Sequence, residues 1–340
     1  MGGGIFGLSC AWEMARRGAR IRLVDRRGIG AGASGGIVGA LAPHVPERWT
    51  SVKAFQFDSL IAAAPFWRAV QQAGGRDPGY ARTGRLQPIA DADALSRAEA
   101  RAREAATLWQ GKATWRVIDA DTARGWSAVS ATGKLIEDTL SARVSPMRAC
   151  EALAAALRAQ GGEIVIGADD PAQGTVLWAT GADGLAALSR DRAREVGRGI
   201  KGQAALVRLD RRDAPQLYAD GLHIVPHADG TTAIGSTTER DYAAPDAPDS
   251  QLDDVITRAS AAVPALADAP ILRRWAGLRP RARSRAPMLG PWPGRPGHFI
   301  ANGGFKIGFG MAPGVARVMT DLLLEGRDTI PDAFRVEASL

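Results

Sequence analysis

The sequence predicts an α/β protein of two domains. One is a Rossmann-like domain with a doubly wound, mainly parallel sheet, and the other is a smaller unit on an antiparallel sheet. Three observations carry this. The chain opens MGGGIFG, so Gly2, Gly4 and Gly7 form a G-x-G-x-x-G turn. A helical stretch and an alternating run ending in Asp25 follow it. Helical segments then give way to a β-rich section, GIKGQAALVRL and GLHIVPHADGTTAIGSTTE.

The elements read in order. Leu8, Ala11, Trp12 and Ala15 recur at helical spacing, and Gly18 suits the end of that helix. Arg20 to Asp25 alternates as a strand. Gly28 to Gly39, rich in Gly, Ala and Ser, reads as a loop close to something bound. Segments 54–72, 91–107 and 146–160 are helical, and Thr175 to Trp178 is a short strand. In the β-rich section Asp229-Gly230 between two apolar arms signals a hairpin. Residues 243–251 read as a surface loop and 251–263 as a helix. After Trp275 the chain is Gly/Pro/Arg-rich until a last helix from about Ala312, with Pro313 in its first turn and Gly326 at its end.

The opening glycines have separate tasks. Gly2 permits the tight turn, Gly4 lets a pyrophosphate approach the backbone, and Gly7 lets the helix pack close to the sheet. The helix N-terminus offers free N–H groups and a positive dipole end. Asp25 ends the next strand, where an acid holds ribose hydroxyls. It argues against a 2′-phosphate, with Arg26 beside it as a further cofactor candidate. Only Met1 precedes the motif. The first strand is therefore missing from the expected fold, which suggests a natural start several residues upstream; the alternative is a truncated chain with a damaged site.

Composition narrows the classes. The chain has 340 residues, 46% hydrophobic and 23% charged, as in ordinary globular enzymes. No apolar run is long enough for a membrane span, and no signal peptide is evident, so the expected location is cytoplasmic. Two cysteines, Cys10 and Cys150, give neither a disulfide framework nor a metal spacing, and four histidines show no ligand pattern. No metal is expected. The net charge of +7 is spread along the chain as Arg. It lacks a basic block with interleaved aromatics, which argues against a nucleic-acid face and suits anionic ligands.

Four later segments, with the opening motif, resemble the FAD-dependent D-amino acid oxidase (DAO) family that holds glycine oxidase and sarcosine oxidase. They are Gly32-Ala33-Ser34-Gly35-Gly36 with Gly39-Ala40-Leu41-Ala42-Pro43; Val176-Leu177-Trp178-Ala179-Thr180-Gly181; Trp275 to Pro280 with Ala286 to Gly290; and Asn302 to Lys306 with Gly308 to Pro313. Smaller echoes are Arg82 to Leu86, Gly202-Gln203 and His223 to Pro226. The resemblance implies a FAD domain from about 1–50, 134–198 and 275–340, and a substrate domain from about 51–133 and 199–274. It implies non-covalent FAD, held by Gly2, Gly4, Gly7, Asp25, Arg26, Ser34, Gly35, Ala40, Thr180, Gly181 and the turn Gly303, Gly304, Phe305, Lys306, Ile307, Gly308. In one departure, only GADDPAQ joins GGEIVI to TVLWATG, where relatives carry a longer β-meander.

The implied reaction is oxidation of a C–N bond in a small amino acid or N-substituted glycine, by hydride transfer to flavin N5, with O2 or another carrier as acceptor. Arg279 is the expected carboxylate ligand, Lys306 a second cation, and His223 a pocket-wall residue. Arg82 stands next in line should Arg279 not serve. Two alternatives remain at this point: oxidation of a carboxymethylaminomethyl group on a tRNA wobble uridine, and a non-catalytic family remnant. Oligomeric state is not legible.

Overall fold

A computed structural model describes residues 1–123, 125–167 and 174–340. The chain folds as a mixed α/β body with parallel and antiparallel sheets, as expected. Most of the short GADDPAQ connection lies outside the described residues.

The larger sheet has eight strands. In spatial order they are Ile271–Ala282, Gly197–Arg208, Thr231–Gly235, Leu222–Pro226, Gln216–Ala219, Arg85–Pro88, Lys134–Asp138 and Trp115–Asp119. Neighbours run antiparallel except Gln216–Ala219 beside Arg85–Pro88. Leu222–Pro226 and Thr231–Gly235 are the hairpin that Asp229-Gly230 announced. The Gly/Pro/Arg-rich segment after Trp275 opens inside a strand. Ile271–Ala282 is a 12-residue strand paired along most of its length with Gly197–Arg208. It is the edge of the sheet, and an edge tolerates Pro280, which has no N–H to donate. These paired strands run across residues 198 and 274, and Lys134–Asp138 lies in the same sheet.

The parallel pairing falls in two smaller sheets. Arg22–Asp25 pairs in parallel with Glu163–Ile166. Val176–Trp178 pairs in parallel with His298–Asn302, which pairs antiparallel with Met288–Pro291. Met1 and Gly2 link the two sheets. The Met1 amino group donates to Leu177 O at 2.7 Å, Ala179 N donates to Met1 O at 2.8 Å, and Gly2 N donates to Val24 O at 2.8 Å. Met1 thus occupies a strand position between them, and burial pushes its amine down to about 6.

Four helices pack over this half: Ile5–Arg16, Ser51–Gly74, Pro146–Ala159 and Gly308–Glu325. Their shared core includes Leu8, Trp12, Leu60, Trp67, Leu153, Leu157, Val315 and Met319, all nearly or fully buried. Arg17 ties the first helix to the last by bonding Asp321 at 2.7 Å and Glu13 at 2.9 Å. The last helix starts four residues earlier than expected, so Pro313 lies inside it. Ser59 Oγ enters the helix there: it donates to Gly310 O at 2.7 Å and accepts from Gly314 N at 3.0 Å. The helix opens beside Pro313 without leaving those two groups unpaired. Among the described residues, no helix is long and apolar enough to cross a membrane.

Candidate active site

The opening turn is built by close backbone approach. A Cβ on Gly7 would lie 1.9 Å from Gly2 O, and one on Gly2 would lie 2.3 Å from Ala179 O. Gly2 also has φ +110°, which glycine adopts freely. The helix Ile5–Arg16 has Gly4 as N-cap, with no capping side chain of its own and no acid in its first turn. Ser34, in the one-turn 3₁₀ segment Ala33–Gly35, reaches this end instead, and its Oγ accepts from Ile5 N at 2.9 Å. Gly35 is tight against Gly30 O, 2.4 Å from where its Cβ would stand. Ala40 lies on a two-residue strand paired with Ala142–Arg143.

Asp25 is more occupied than a bare ribose ligand. Oδ2 accepts from Gly3 N at 2.7 Å, and Oδ1 accepts from Arg27 N at 2.8 Å and Gly28 N at 2.9 Å. Three of roughly four acceptor positions on the carboxylate therefore hold the loop. One position on Oδ2 is left for a ligand hydroxyl. Arg26 is exposed at the same corner. Thr180 caps the helix Gly181–Asp191, and Gly181 O accepts from Asn302 Nδ2 at 2.9 Å. These features fit a dinucleotide such as FAD: an uncapped helix end behind a glycine turn, one small hydroxyl on it, and an acid at the strand end.

The turn from Gly303 to Gly308 joins the two halves. A Cβ on Gly304 would press on Phe6 of the first helix at 2.9 Å, and Phe305 N donates to Pro280 O at 3.0 Å. Ile307 N closes the turn on Gly304 O at 2.9 Å, and Gly308 begins the last helix. Phe305 has φ +43°, rare for a residue with a side chain. Its ring is the centre of the cationic cluster. Arg279 lies 5.5 Å from the ring centroid, Arg281 5.9 Å and Lys306 5.9 Å.

Arg279 is 9% exposed. Its guanidinium lies over Gly202, where a Cβ would come within 2.2 Å of Nη2. Nη1 donates to Ser236 Oγ at 2.7 Å, and Nη2 donates to Thr237 O at 2.5 Å and Lys201 O at 3.2 Å. Nε is buried without a partner. Burial lowers its pKa to about 10, with Glu239 pulling the other way. Lys306 is pushed down to about 8, by burial first and by Arg279 second.

His223 sits in the same neighbourhood. Its Nδ1 is buried and unpartnered, and its ring is 4.8 Å from Tyr218. Burial, then Arg85, then Lys306 push it down to about 3, so it stays neutral in ordinary buffers. Arg85 pairs with fully buried Asp138 at 2.8 Å and faces the Tyr218 ring at 5.8 Å. Arg82, the expected reserve cation, turns elsewhere and bonds Thr139 O and Lys112 O. Gly84, with φ +79°, redirects the chain between them. The structure brings Arg279 and Lys306 together at the Phe305 ring, with His223 close enough to feel Lys306; Arg85 and Tyr218 stand beside His223, and Ser236 bonds Arg279. The described residues hold no cluster able to bind a metal ion. Cys10 and Cys150 are buried, and burial raises both thiols to about 12.

A family model described as FAD dependent oxidoreductase, DAO, matches residues 1–322. Glycine oxidase of Pseudomonas putida is 25% identical over 363 aligned residues, covering 98% of this chain and 96% of that protein. Glycine oxidase of Pseudomonas aeruginosa is 33% identical over 134 residues, 39% of this chain and 36% of that one. In structure, iminodiacetate oxidase from Chelativorans superposes with a TM-score of 0.84 at 20% identity, over 98% of this chain and 97% of the other. That likeness is one of fold.

Proposed function

The chain belongs to the DAO family of FAD-dependent oxidoreductases, and on that premise we propose that it oxidises the carbon–nitrogen bond of a small amino acid or N-substituted glycine. The observation that carries this reading is the buried Arg279, with its unpartnered Nε, beside Lys306 at the Phe305 turn. A buried cation with a free donor calls for an anion, and the substrate carboxylate supplies one. The full-length similarity to a glycine oxidase supports the same substrate class.

In this reading FAD, when bound, supplies the acceptor for two electrons leaving the substrate as a hydride to N5. The chain's residues bind and orient. Arg279 offers Nε first. A two-point grip along the Nε/Nη2 edge requires the longer Nη2 contact to Lys201 O to yield. Lys306 adds a second positive charge, and a carboxylate between the two relieves their repulsion. The start of the helix Gly308–Glu325 adds a positive dipole end next to the turn. Neutral His223 and Tyr218 line the wall. No side-chain base is needed when the substrate amine binds neutral. Ser34 and the first helix end would hold the diphosphate of FAD, and Asp25 a ribose hydroxyl.

The test is the visible spectrum of the purified, FAD-reconstituted protein during anaerobic titration with a panel of amino acids and N-substituted glycines. Bleaching of the flavin band by a member of the panel is expected. A protein that binds FAD yet is reduced by none of them rules the reading out.

A further inference from the structure

Beyond Arg279 and Lys306, three more arginines surround Phe305. Arg240, Arg281 and Arg285 line, with that ring, a cavity of about 240 Å³. Arg281 and Arg279 are two residues apart on the strand Ile271–Ala282, so they share a face at about 7 Å. Directly opposite Arg281 on the neighbouring strand stands Arg198, a like-charged cross-strand pair that disfavours the sheet. Among the described residues, none of Arg240, Arg281 and Arg285 has a carboxylate partner. Arg281 is held below its ordinary range by burial, then by Arg285, Arg240 and Arg198. Glu195, the acid that counters this, is already bonded to Arg198 at 3.1 Å. Arg285 and Phe305 both have positive φ, +65° and +43°. Such conformations cost energy and persist where surrounding structure enforces them.

We propose that this cavity is a second anion subsite of the active site, which takes a second carboxylate or a phosphonate carried by the amino-acid substrate. The inference rests on the proposed amino-acid oxidation. The inner cation Arg279 and the outer cation Arg281 lie 5.5 and 5.9 Å from the same ring centroid, so a single small molecule reaches both. A glycine-sized substrate fills the inner position and leaves the outer charges uncompensated. The substrate class is therefore dianionic: an N-(carboxyalkyl) or N-(phosphonoalkyl) amino acid, or an amino acid with an acidic side chain.

The test compares pairs that differ only in the second charge. Iminodiacetate is set against its monoamide, N-(carbamoylmethyl)glycine, with N-(phosphonomethyl)glycine alongside; aspartate is set against asparagine in both enantiomers. The pair that responds shows whether the second anion sits on the nitrogen substituent or the side chain. For the preferred pair the ratio of kcat/KM, charged over neutral, should be about tenfold or more, the worth of one charge-assisted hydrogen bond. In Arg281→Gln the ratio should fall to near one, and in exposed Arg240→Gln it should fall less, with FAD content showing that both variants fold. A ratio near one in the parent protein overturns the subsite, as does a ratio that neither variant changes. Calorimetric titration with iminodiacetate, its monoamide and inorganic phosphate keeps the two readings apart. Tighter, Arg281-dependent binding of iminodiacetate in a protein that no amino acid reduces upholds the subsite while the oxidase reading falls. Phosphate binding as tightly as iminodiacetate overturns the substrate assignment.

Discussion

The two halves of the molecule fix their functional groups by different means. In one half, a single eight-stranded sheet carries Arg85, Lys201, His223 and Arg279 in continuous hydrogen-bonded register. Buried Lys201, Gln203 and Glu239, with exposed Asp249, form a network that holds the strand whose carbonyl positions Arg279. On the cofactor side the parallel strands fall in sheets of two and three, bridged by Met1 and Gly2. The G-x-G-x-x-G turn there is positioned by glycine contacts and helix packing, and its helix end rests on one serine hydroxyl. The surroundings of Arg279 are thus built in advance, whereas the cofactor side keeps its donors for a ligand. A ligand that binds only the folded state adds stability by mass action, so FAD should raise the melting temperature and protect the first helix and its turn from hydrogen exchange more than the large sheet.

The largest expected effect is in the half built on the eight-stranded sheet. Arg85→Met leaves Asp138 buried without its cation, and removing one partner of such a pair costs about 3–5 kcal/mol. Chemical denaturation of the FAD-free protein should show that loss. Full stability would mean that Ser141, which donates to Asp138 from both N and Oγ, satisfies the carboxylate unaided.

Gly7→Ala strikes the other half. The added methyl meets Gly2 O and overpacks the turn, at about 1–3 kcal/mol. FAD retention should fall with it, while hydrogen-exchange protection in the strand Gly197–Arg208 should hold. If FAD binds as before, the turn is looser than its contacts indicate. Gly202→Ala is the matching cut in the sheet. It displaces the Arg279 guanidinium, so KM for the best substrate should rise with FAD content unchanged.

The smallest effect is one of pH. The Lys306 pKa is lowered to about 8, so the ammonium is present below that pH and is lost as pH rises through it. Affinity for a carboxylate substrate should weaken between about pH 7 and 9, and Lys306→Met should flatten that profile. A wild-type profile flat over this range would place Lys306 away from the substrate.

The helices were legible because their apolar residues recur at the right period: the segments read at 91–107, 146–160 and 251–263 match Ala92–Leu108, Pro146–Ala159 and Gln251–Ala262 within a residue or two. The strand Ile271–Ala282 was not, because Arg, Gly and Pro there look like loop composition and only pairing with Gly197–Arg208 makes it regular. That miss hid Arg281, whose place beside Arg279 follows directly from strand period. Arg85 was passed over for Arg82 because the sequence cannot show that Gly84 turns the chain between them. Phe305 stood in a glycine-rich motif, yet its role as a central ring depends on a positive φ that no residue pattern announces. Pro313 read as a helix start because its rescue by Ser59 is a contact across more than two hundred residues.

The central claim, that Arg279 holds the substrate carboxylate, is tested most directly by anaerobic stopped-flow reduction of FAD-loaded Arg279→Met beside the parent protein and Lys306→Met. The account predicts that Arg279→Met keeps its FAD but is reduced at least a hundredfold more slowly at equal substrate, as the loss of about 3 kcal/mol or more from a desolvated ion pair implies. Lys306→Met should lose less. Reduction of Arg279→Met at the parent rate and with the parent substrate affinity would contradict it and move the carboxylate to another cation of the Phe305 cluster.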